Sequence, residues 1–160
     1  VKWNQDQPIS VAQELFARVD IVPVQLAVVQ AAKESSWGRS RYAVEINNLF
    51  GQWCFKKGCG LVPKDRSDGA RHEVRKFNTV SDAVRSYIHN MNSHRNYSDL
   101  RKLRQNLREK GQGIEGGDLV DGLLLYSERR QQYVDEIRSM IRQYSYFLRQ
   151  QATGPAVKGT

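Results

Sequence analysis

Apolar residues recur at helical spacing in several segments of the chain, and one long stretch between them lacks that pattern. We predict helices over 9–19, 23–38, 81–91, 97–109, 118–126 and 132–150. Ser10 is the predicted cap of the first helix, and Thr79 or Ser81 that of the third. Helices therefore account for most of the sequence.

The second segment is apolar on almost every side. Its apolar residues are Val24, Leu26, Ala27, Val28, Val29, Ala31 and Ala32. A helix with this pattern is buried on nearly all sides, so we expect a central helix. Pro23 suits its first turn and Gly38 its end.

The stretch 50–78 has no helical period and is rich in glycine. Short runs in it fit strands, at 52–55, 60–62 and 72–77. The predicted fold class is α+β, mainly helical, with a buried central helix and a small glycine-rich β lobe across a cleft. A single domain is predicted over 9–150, between a flexible N-terminal segment, 1–8, and a disordered tail, 151–160.

Glu34 lies in the last turn of the predicted central helix, next to Trp37. Burial disfavours its charged form and the negative end of the helix dipole is close by, so both effects raise the pKa of this carboxyl group. An acid that is partly protonated near neutral pH suits general acid catalysis. An ion pair with Arg39 or Arg41 is the alternative, and the local sequence favours neither interpretation.

The chain of 160 residues carries a formal net charge of +8 and has a pI of about 9.7. This charge favours anionic partners, although no nucleic-acid-binding motif is present and we predict no nucleic-acid partner. Much of the charge lies in 95–108, which we interpret as a solvated helix face, with binding of acidic polymers as the alternative. No apolar run predicts a transmembrane span. No signal peptide begins the chain, and Val1 in place of Met fits a trimmed or mature form.

The two cysteines, Cys54 and Cys59, are close enough in sequence to close a small loop. A disulfide is the favoured interpretation and fits an oxidising compartment such as a periplasm. Two free thiols are the alternative. The histidines give these cysteines no recognisable metal-ligand spacing, so no metal is predicted.

Two motifs resemble a known family. The sequences ESSWG, at 34–38, and NNLFG, at 47–51, resemble the bacterial glucosaminidases of glycoside hydrolase family 73, which include flagellar muramidase-like hydrolases and autolysins. Other segments resemble the Bax-type branch, at 18–23, 51–54, 59–63 and 126–129. The resemblance extends from about Leu15 to Ile141.

This resemblance implies a lysozyme-like fold and hydrolysis of the β-1,4 bond after N-acetylglucosamine in peptidoglycan, without a cofactor. It implies that Glu34 is the catalytic acid and that Tyr126, ahead of the last helix, takes part. The segment after Tyr126 reads Ser-Glu-Arg where many relatives have alanine-threonine-aspartate. A second carboxylate is expected from the β lobe. Glu73 matches best by position, and Asp65 and Asp68 compete with it.

Two mechanisms fit these residues. Glu73 would act as a base that activates water, giving inversion, or the acetamido carbonyl of the substrate would attack with Tyr126 steadying it, giving retention. We favour Glu73 as the base. His72, its neighbour, is a candidate for tuning its pKa, although a solvated histidine is the simpler interpretation.

Aromatic rings and amides supply the candidate substrate-binding residues. They are Trp37, Tyr42, Asn48, Phe50 and Trp53. The apolar faces of sugars stack on aromatic rings, and an Asn amide suits an acetamido group. Core packing for Phe50 and turn formation for Asn48 are the alternatives.

Three functions compete with a glucosaminidase. A non-catalytic cell-wall binding or scaffold module would keep the fold, but such a protein often loses the acid that Glu34 supplies here. A lytic transglycosylase would use one acid and form an anhydro product. A thiol hydrolase built on Cys54 and His72 lacks an orienting third residue. We predict a monomer that acts on peptidoglycan strands in the periplasm or cell envelope.

Overall fold

The computed structural model describes residues 8–152, with side chains over 11–147. The predicted flexible segment, apart from Pro8, and the predicted tail from residue 153 onwards lie outside the described residues. The chain forms two compact units. Unit 1 contains the described residues up to Ala27 and from Met91 onwards, and unit 2 is Val28–Asn90.

Helices dominate the described residues. They are α1, Pro8–Arg18; α2, Val24–Glu34; α3, Arg41–Ile46; α4, Val80–Ser93; α5, Ser98–Glu109; and α6, Gln131–Ala152. Two 3₁₀ helices accompany them, Arg95–Tyr97 and Gly116–Leu123. The mainly helical α+β class predicted from the sequence is confirmed. Within the described residues, no helix has the length and apolar character of a membrane span.

Local capping agrees with the sequence at one helix and differs at another. Thr79 caps α4: its Oγ1 accepts the N–H of Asp82 at 3.1 Å, and the Asp82 carboxylate accepts the N–H of Thr79 at 3.1 Å. The predicted cap at Ser10 is wrong, because α1 already begins at Pro8, a residue that is well suited to the first turn of a helix.

Helix α2 is less buried than its composition predicts. Leu26 and Val29 are fully or almost fully buried, but Val24 is 55% exposed and Val28 is 45% exposed. These two residues are one turn apart, so they form an apolar stripe on the surface. The prediction of burial on nearly all sides is therefore wrong. Glu34 lies in the last turn as expected, but the helix ends there, four residues before the predicted end at Gly38.

The β lobe is a three-stranded antiparallel sheet. Its strands are β1, Trp53–Cys54; β2, Gly60–Leu61; and β3, Glu73–Arg75, in the order β1-β3-β2. Trp53 pairs with Val74 on one side of β3, and Leu61 pairs with Val74 on the other. All three strands lie at their predicted positions but are shorter.

Gly60 is required where β2 approaches β3. A Cβ atom on Gly60 would lie 1.8 Å from the carbonyl oxygen of Val74, a distance that no side chain tolerates. The glycine thus permits the close pairing of the lobe's strands.

In unit 1, the second 3₁₀ helix packs tightly on α5. A Cβ atom on Gly122 would lie 2.3 Å from the Cα atom of Leu100. Leu119, Val120 and Leu123 on the same 3₁₀ helix are fully buried. The predicted short helix at 118–126 therefore exists, with 3₁₀ geometry and an earlier start.

The basic segment 95–108 is only partly a solvated face. Arg104 is 1% exposed, and its guanidinium donates to the carbonyl oxygens of Ala17 and Ile21 at 2.7 and 2.6 Å. Arg101, 6% exposed, donates to the carbonyl oxygens of Met91 and His94. The interpretation of the whole segment as solvated is wrong for these two residues, because the ends of neighbouring elements supply acceptors that a guanidinium satisfies.

Candidate active site

Glu34 is the last residue of α2 and is half-buried. Its Oε2 atom lies 3.8 Å from the point that a Cβ atom on Gly51 would occupy. Gly51 has φ +64°, a left-handed conformation in which glycine has no steric cost. The side chain of Glu34, the first residue of the ESSWG motif, therefore lies beside Gly51, the last residue of the NNLFG motif.

The turn after Glu34 has an unusual backbone. Ser36, Trp37 and Gly38 have φ values of 51°, 60° and 75°, and left-handed conformations cost free energy for residues other than glycine. Strain of this kind is concentrated at functional sites. The turn also leaves Trp37 53% exposed, three residues after the candidate acid.

Ser35 stabilises this turn, a role that the motif comparison did not assign. Its hydroxyl donates to the carbonyl oxygen of Ala31 at 2.6 Å and accepts the N–H of Gly38 at 2.7 Å. Its own carbonyl oxygen accepts the N–H of Ser40 at 2.8 Å. A serine directly after a helix end, with glycine three residues later, is the sequence signal for this bonding.

Asn48 has an internal role. It is 2% exposed, and its Nδ2 donates to the carbonyl oxygens of Gln52 and Arg75 at 2.9 and 2.8 Å. Its Oδ1 accepts the N–H groups of Phe50 and Gln52 at 3.3 and 3.1 Å. An asparagine amide has two N–H donors and two acceptor lone pairs. Those of Asn48 are therefore all occupied by these four hydrogen bonds. The predicted acetamido contact gives way to turn formation.

Phe50 is likewise part of the interior of unit 2. It is 4% exposed and stacks on Tyr87, with ring centroids 4.1 Å apart and planes at 11°. The Tyr87 hydroxyl donates to Oε1 of the buried Gln30 at 2.6 Å. Because its ring is covered, Phe50 serves as core packing instead of the predicted sugar platform.

Glu73 is buried at the start of β3, with 6% of its surface exposed. Its Oε1 accepts the N–H of Gly58 and its Oε2 the N–H of Gly60, both at 2.9 Å. These hydrogen bonds, from Gly58 first and then Gly60, hold the pKa of the Glu73 carboxyl below its usual range, although burial opposes them. Glu73 is thus bound to the loop between β1 and β2 and to the first residue of β2.

A disulfide closes the same loop. Cys54 and Cys59 are bonded, with their Cα atoms 6.2 Å apart. Their sulfur atoms and a Glu73 oxygen lie within 4.8 Å of one another. Disulfide-bonded sulfurs offer no thiolate, which is the form of cysteine that binds metals. The cluster instead connects the disulfide loop to strand β3 through the hydrogen bonds of Glu73.

Two candidate sugar-binding residues of unit 2 are at least partly exposed. Trp53 is 54% exposed, and its ring stacks on His72 with centroids 4.0 Å apart and planes at 16°. Tyr42, on α3, is half-buried. Tyr42 and His72 both line a cavity of about 340 Å³ in unit 2. Asp65 also lines this cavity, and Asp68 is exposed in the same loop.

Tyr126 belongs to unit 1, in the turn between the second 3₁₀ helix and α6. It is half-buried, and its ring stacks on Tyr133 with centroids 5.2 Å apart and planes at 11°. The ring of Tyr97 lies 6.0 Å away at a tilt of 43°. Two buried tyrosines therefore orient Tyr126 ahead of the last helix, the position expected from its sequence.

Comparisons with known proteins agree with these motifs. The family described as glucosaminidase, mannosyl-glycoprotein endo-beta-N-acetylglucosaminidase, matches residues 9–146. The chain is 34% identical over 140 residues to the protein Bax of Escherichia coli K12. The aligned residues cover 88% of this chain and 49% of Bax. The chain thus spans about half the length of that relative.

A solved structure shares the fold. It is the crystal structure of a peptidoglycan hydrolase from Sphingomonas sp. A1, with a TM-score of 0.57, 20% sequence identity, and coverage of 96% of this chain and 94% of the other. The likeness agrees with the lysozyme-like α+β fold implied by the sequence resemblance. With the family match extending over most of the sequence, the chain belongs to the glucosaminidase family, in its Bax-type branch.

Proposed function

We propose that this chain is a peptidoglycan hydrolase that acts as an endo-β-N-acetylglucosaminidase, cleaving the β-1,4 bond after N-acetylglucosamine. The observation that carries the proposal is the contact between the two family motifs: the Glu34 carboxylate lies against the Gly51 backbone, beside a strained turn that exposes Trp37. Residues 9–150 would form the catalytic domain. It would act in the periplasm or cell envelope of a bacterium.

Glu34 is the proposed general acid. Cleavage of a glycosidic bond needs a proton for the leaving oxygen while positive charge develops on the sugar ring. A half-buried carboxyl group on the last residue of α2, beside Gly51, is placed to donate this proton. The exposed indole of Trp37 supplies an apolar surface for a sugar ring beside the acid.

The second catalytic role fits Glu73 less well than its sequence position suggests. A base that activates water needs an available oxygen and a pKa near the working pH. Both oxygens of Glu73 accept backbone N–H groups, and these bonds lower its pKa. We therefore propose that Glu73 stabilises the disulfide loop, and that the substrate's acetamido carbonyl attacks instead, with Tyr126 steadying it. This mechanism gives retention of configuration.

The proposed sugar-binding surface of unit 2 contains Trp37, Trp53 and Tyr42. Each has an aromatic ring at least partly open to solvent, unlike Phe50. Asp65 and Asp68 lie on the same unit and are the remaining candidates for a base, if an inverting mechanism operates.

The test is digestion of purified peptidoglycan followed by borohydride reduction and mass spectrometry. Reduced glucosamine ends are expected. Reduced muramic acid ends would indicate a muramidase, anhydro ends a lytic transglycosylase, and intact strands a non-catalytic binding module. Proton NMR of the first product anomer then distinguishes retention, expected here, from inversion.

A further inference from the structure

The cavity of about 340 Å³ in unit 2 has a basic lining. It lies between the first turn of α3 and the loop that leads into β3. The charged and aromatic residues that line it are Arg41, Tyr42, Lys64, Asp65, Arg66 and His72. Three permanent cations against one carboxylate give the cavity a positive potential that favours an anionic ligand.

The arginines are held in place at the rim. Nη1 of Arg66 donates to the carbonyl oxygen of His72 at 3.3 Å, which fixes its guanidinium beside the start of β3. Nε of Arg41 donates to Glu45 at 3.1 Å, one turn along α3. A guanidinium has five N–H donors, and its planar fork matches the two oxygens of a carboxylate. Each of these anchoring bonds uses one donor.

One residue joins this cavity to the exposed aromatic surface. The ring of His72 stacks on the indole of Trp53, and His72 also lines the cavity. A ligand with a sugar ring on Trp53 therefore has a basic cavity next to it. Such a ligand combines an apolar sugar face with an acidic substituent.

We propose that this cavity binds the acidic peptide stem carried by a peptidoglycan strand, through the stem carboxylates. The proposal rests on the proposed function, because it assigns the ligand class of the same unit. It gives the protein a preference for strands that carry their peptides over strands from which the peptides have been removed.

The test is equilibrium binding, which does not require cleavage. Two ligands are compared by calorimetry: a peptidoglycan disaccharide with its peptide stem and the same disaccharide without it. We expect the first to bind about tenfold more tightly, the effect of one or two charge-assisted contacts at a partly exposed site.

Two double variants localise the effect. Arg41→Gln with Lys64→Gln is expected to reduce the preference to less than about twofold, because it removes two cations from the cavity. Lys56→Gln with Lys57→Gln is the matched control, since it removes two exposed cations of the same unit from the disulfide loop outside the cavity lining. The control is expected to keep the preference.

The outcomes separate this inference from the proposed function. Equal binding of the two ligands by the native protein overturns the inference, even when the strands are cleaved. A stem preference that both double variants lose equally also overturns it, because the effect is then general charge. A stem preference lost only in the cavity variant supports the inference, even if the products show no glucosaminidase cleavage. Displacement of both ligands alike by a glycerol phosphate polymer would reassign the cavity to phosphate.

Discussion

The Oε2 atom of Glu34 lies 3.8 Å from the position of a Cβ atom on Gly51, so residue 51 forms part of the wall around the candidate acid. Gly51→Ala is expected to lower the free energy of unfolding by about 1 kcal/mol, because its φ of +64° is costly for alanine. The new methyl group would also displace water from Glu34 and lower the rate of hydrolysis. Urea denaturation and a peptidoglycan digestion assay measure the two effects.

Gly58→Ala is the matched control for that variant. Gly58 has a φ of +81°, and an added Cβ would meet no atom within 4 Å. The Gly58→Ala protein should lose a similar amount of stability as Gly51→Ala but keep its hydrolytic activity. Equal activity of the two variants would contradict a role for Gly51 in shaping the surroundings of Glu34.

Glu34→Gln is expected to abolish hydrolysis, with a fall in rate of at least about a hundredfold, since glutamine cannot donate the proton that the leaving oxygen needs. The far-UV circular dichroism spectrum should not change. Glu109→Gln is the control, because Glu109 is an exposed glutamate at the last position of another helix, α5. A Glu34→Gln protein with native activity would overturn the assignment of the acid.

Glu73→Gln is expected to lower stability at pH 7 more than it lowers activity. Glutamine has one oxygen for the two N–H groups of Gly58 and Gly60, and its amide N–H₂ would face one of these donors. The rate should stay within about tenfold of the native rate, whereas loss of a general base would cost about a hundredfold or more.

The contribution of the Glu73 carboxylate to the free energy of unfolding depends on pH. The folded-state pKa of Glu73 lies below the usual value of 4.5, so its charged form stabilises the fold above that pH. The contribution is lost as the pH falls through the folded-state pKa. Urea titrations from pH 7 downwards should show the stability difference between native and Glu73→Gln proteins shrinking below about pH 4.5. A difference that is constant with pH would contradict the role of the carboxylate charge.

The disulfide and Glu73 are expected to act on one loop. Replacing Cys54 and Cys59 with serine opens a loop with a sequence separation of 5, which costs about 2 kcal/mol by loop-closure entropy. In this double-serine variant, Glu73→Gln should lower the free energy of unfolding by less than it does in the native protein. The open loop already positions Gly58 and Gly60 poorly for their hydrogen bonds with Glu73. A double-mutant cycle measures this coupling, and strictly additive losses would exclude it.

Arg104→Ala is expected to destabilise unit 1 by about 3 kcal/mol, since it removes a fully buried side chain and leaves partly buried acceptors of Ala17, Ile21 and Asn92 without their donor. Arg108→Ala is the matched control on the same helix. Arg108 is 51% exposed and pairs with Asp20 at 2.8 Å, so it should cost less than about 1 kcal/mol. Thermal unfolding of both variants tests the contrast, and similar losses would contradict it.

Much of the helical framework could be predicted from the sequence, because helix period and turn chemistry are local properties. Glu34 lies in the last turn of α2 and Thr79 caps α4, as their neighbours in sequence indicate. The three strands lie where short runs between glycines placed them. Burial was predicted less well: Val24 and Val28 form an exposed stripe that composition alone does not distinguish from a core face.

The sequence by itself determined the family, through the ESSWG and NNLFG motifs, and with it the candidate acid Glu34. Only the tertiary structure decided what several other polar residues do. Asn48 and Glu73 bond backbone groups up to 27 and 15 positions away, and Arg104 bonds groups more than 80 positions away. Such partners become neighbours only after the chain folds, so residue type and spacing do not reveal whether a carboxylate or a guanidinium acts on a substrate or holds a loop.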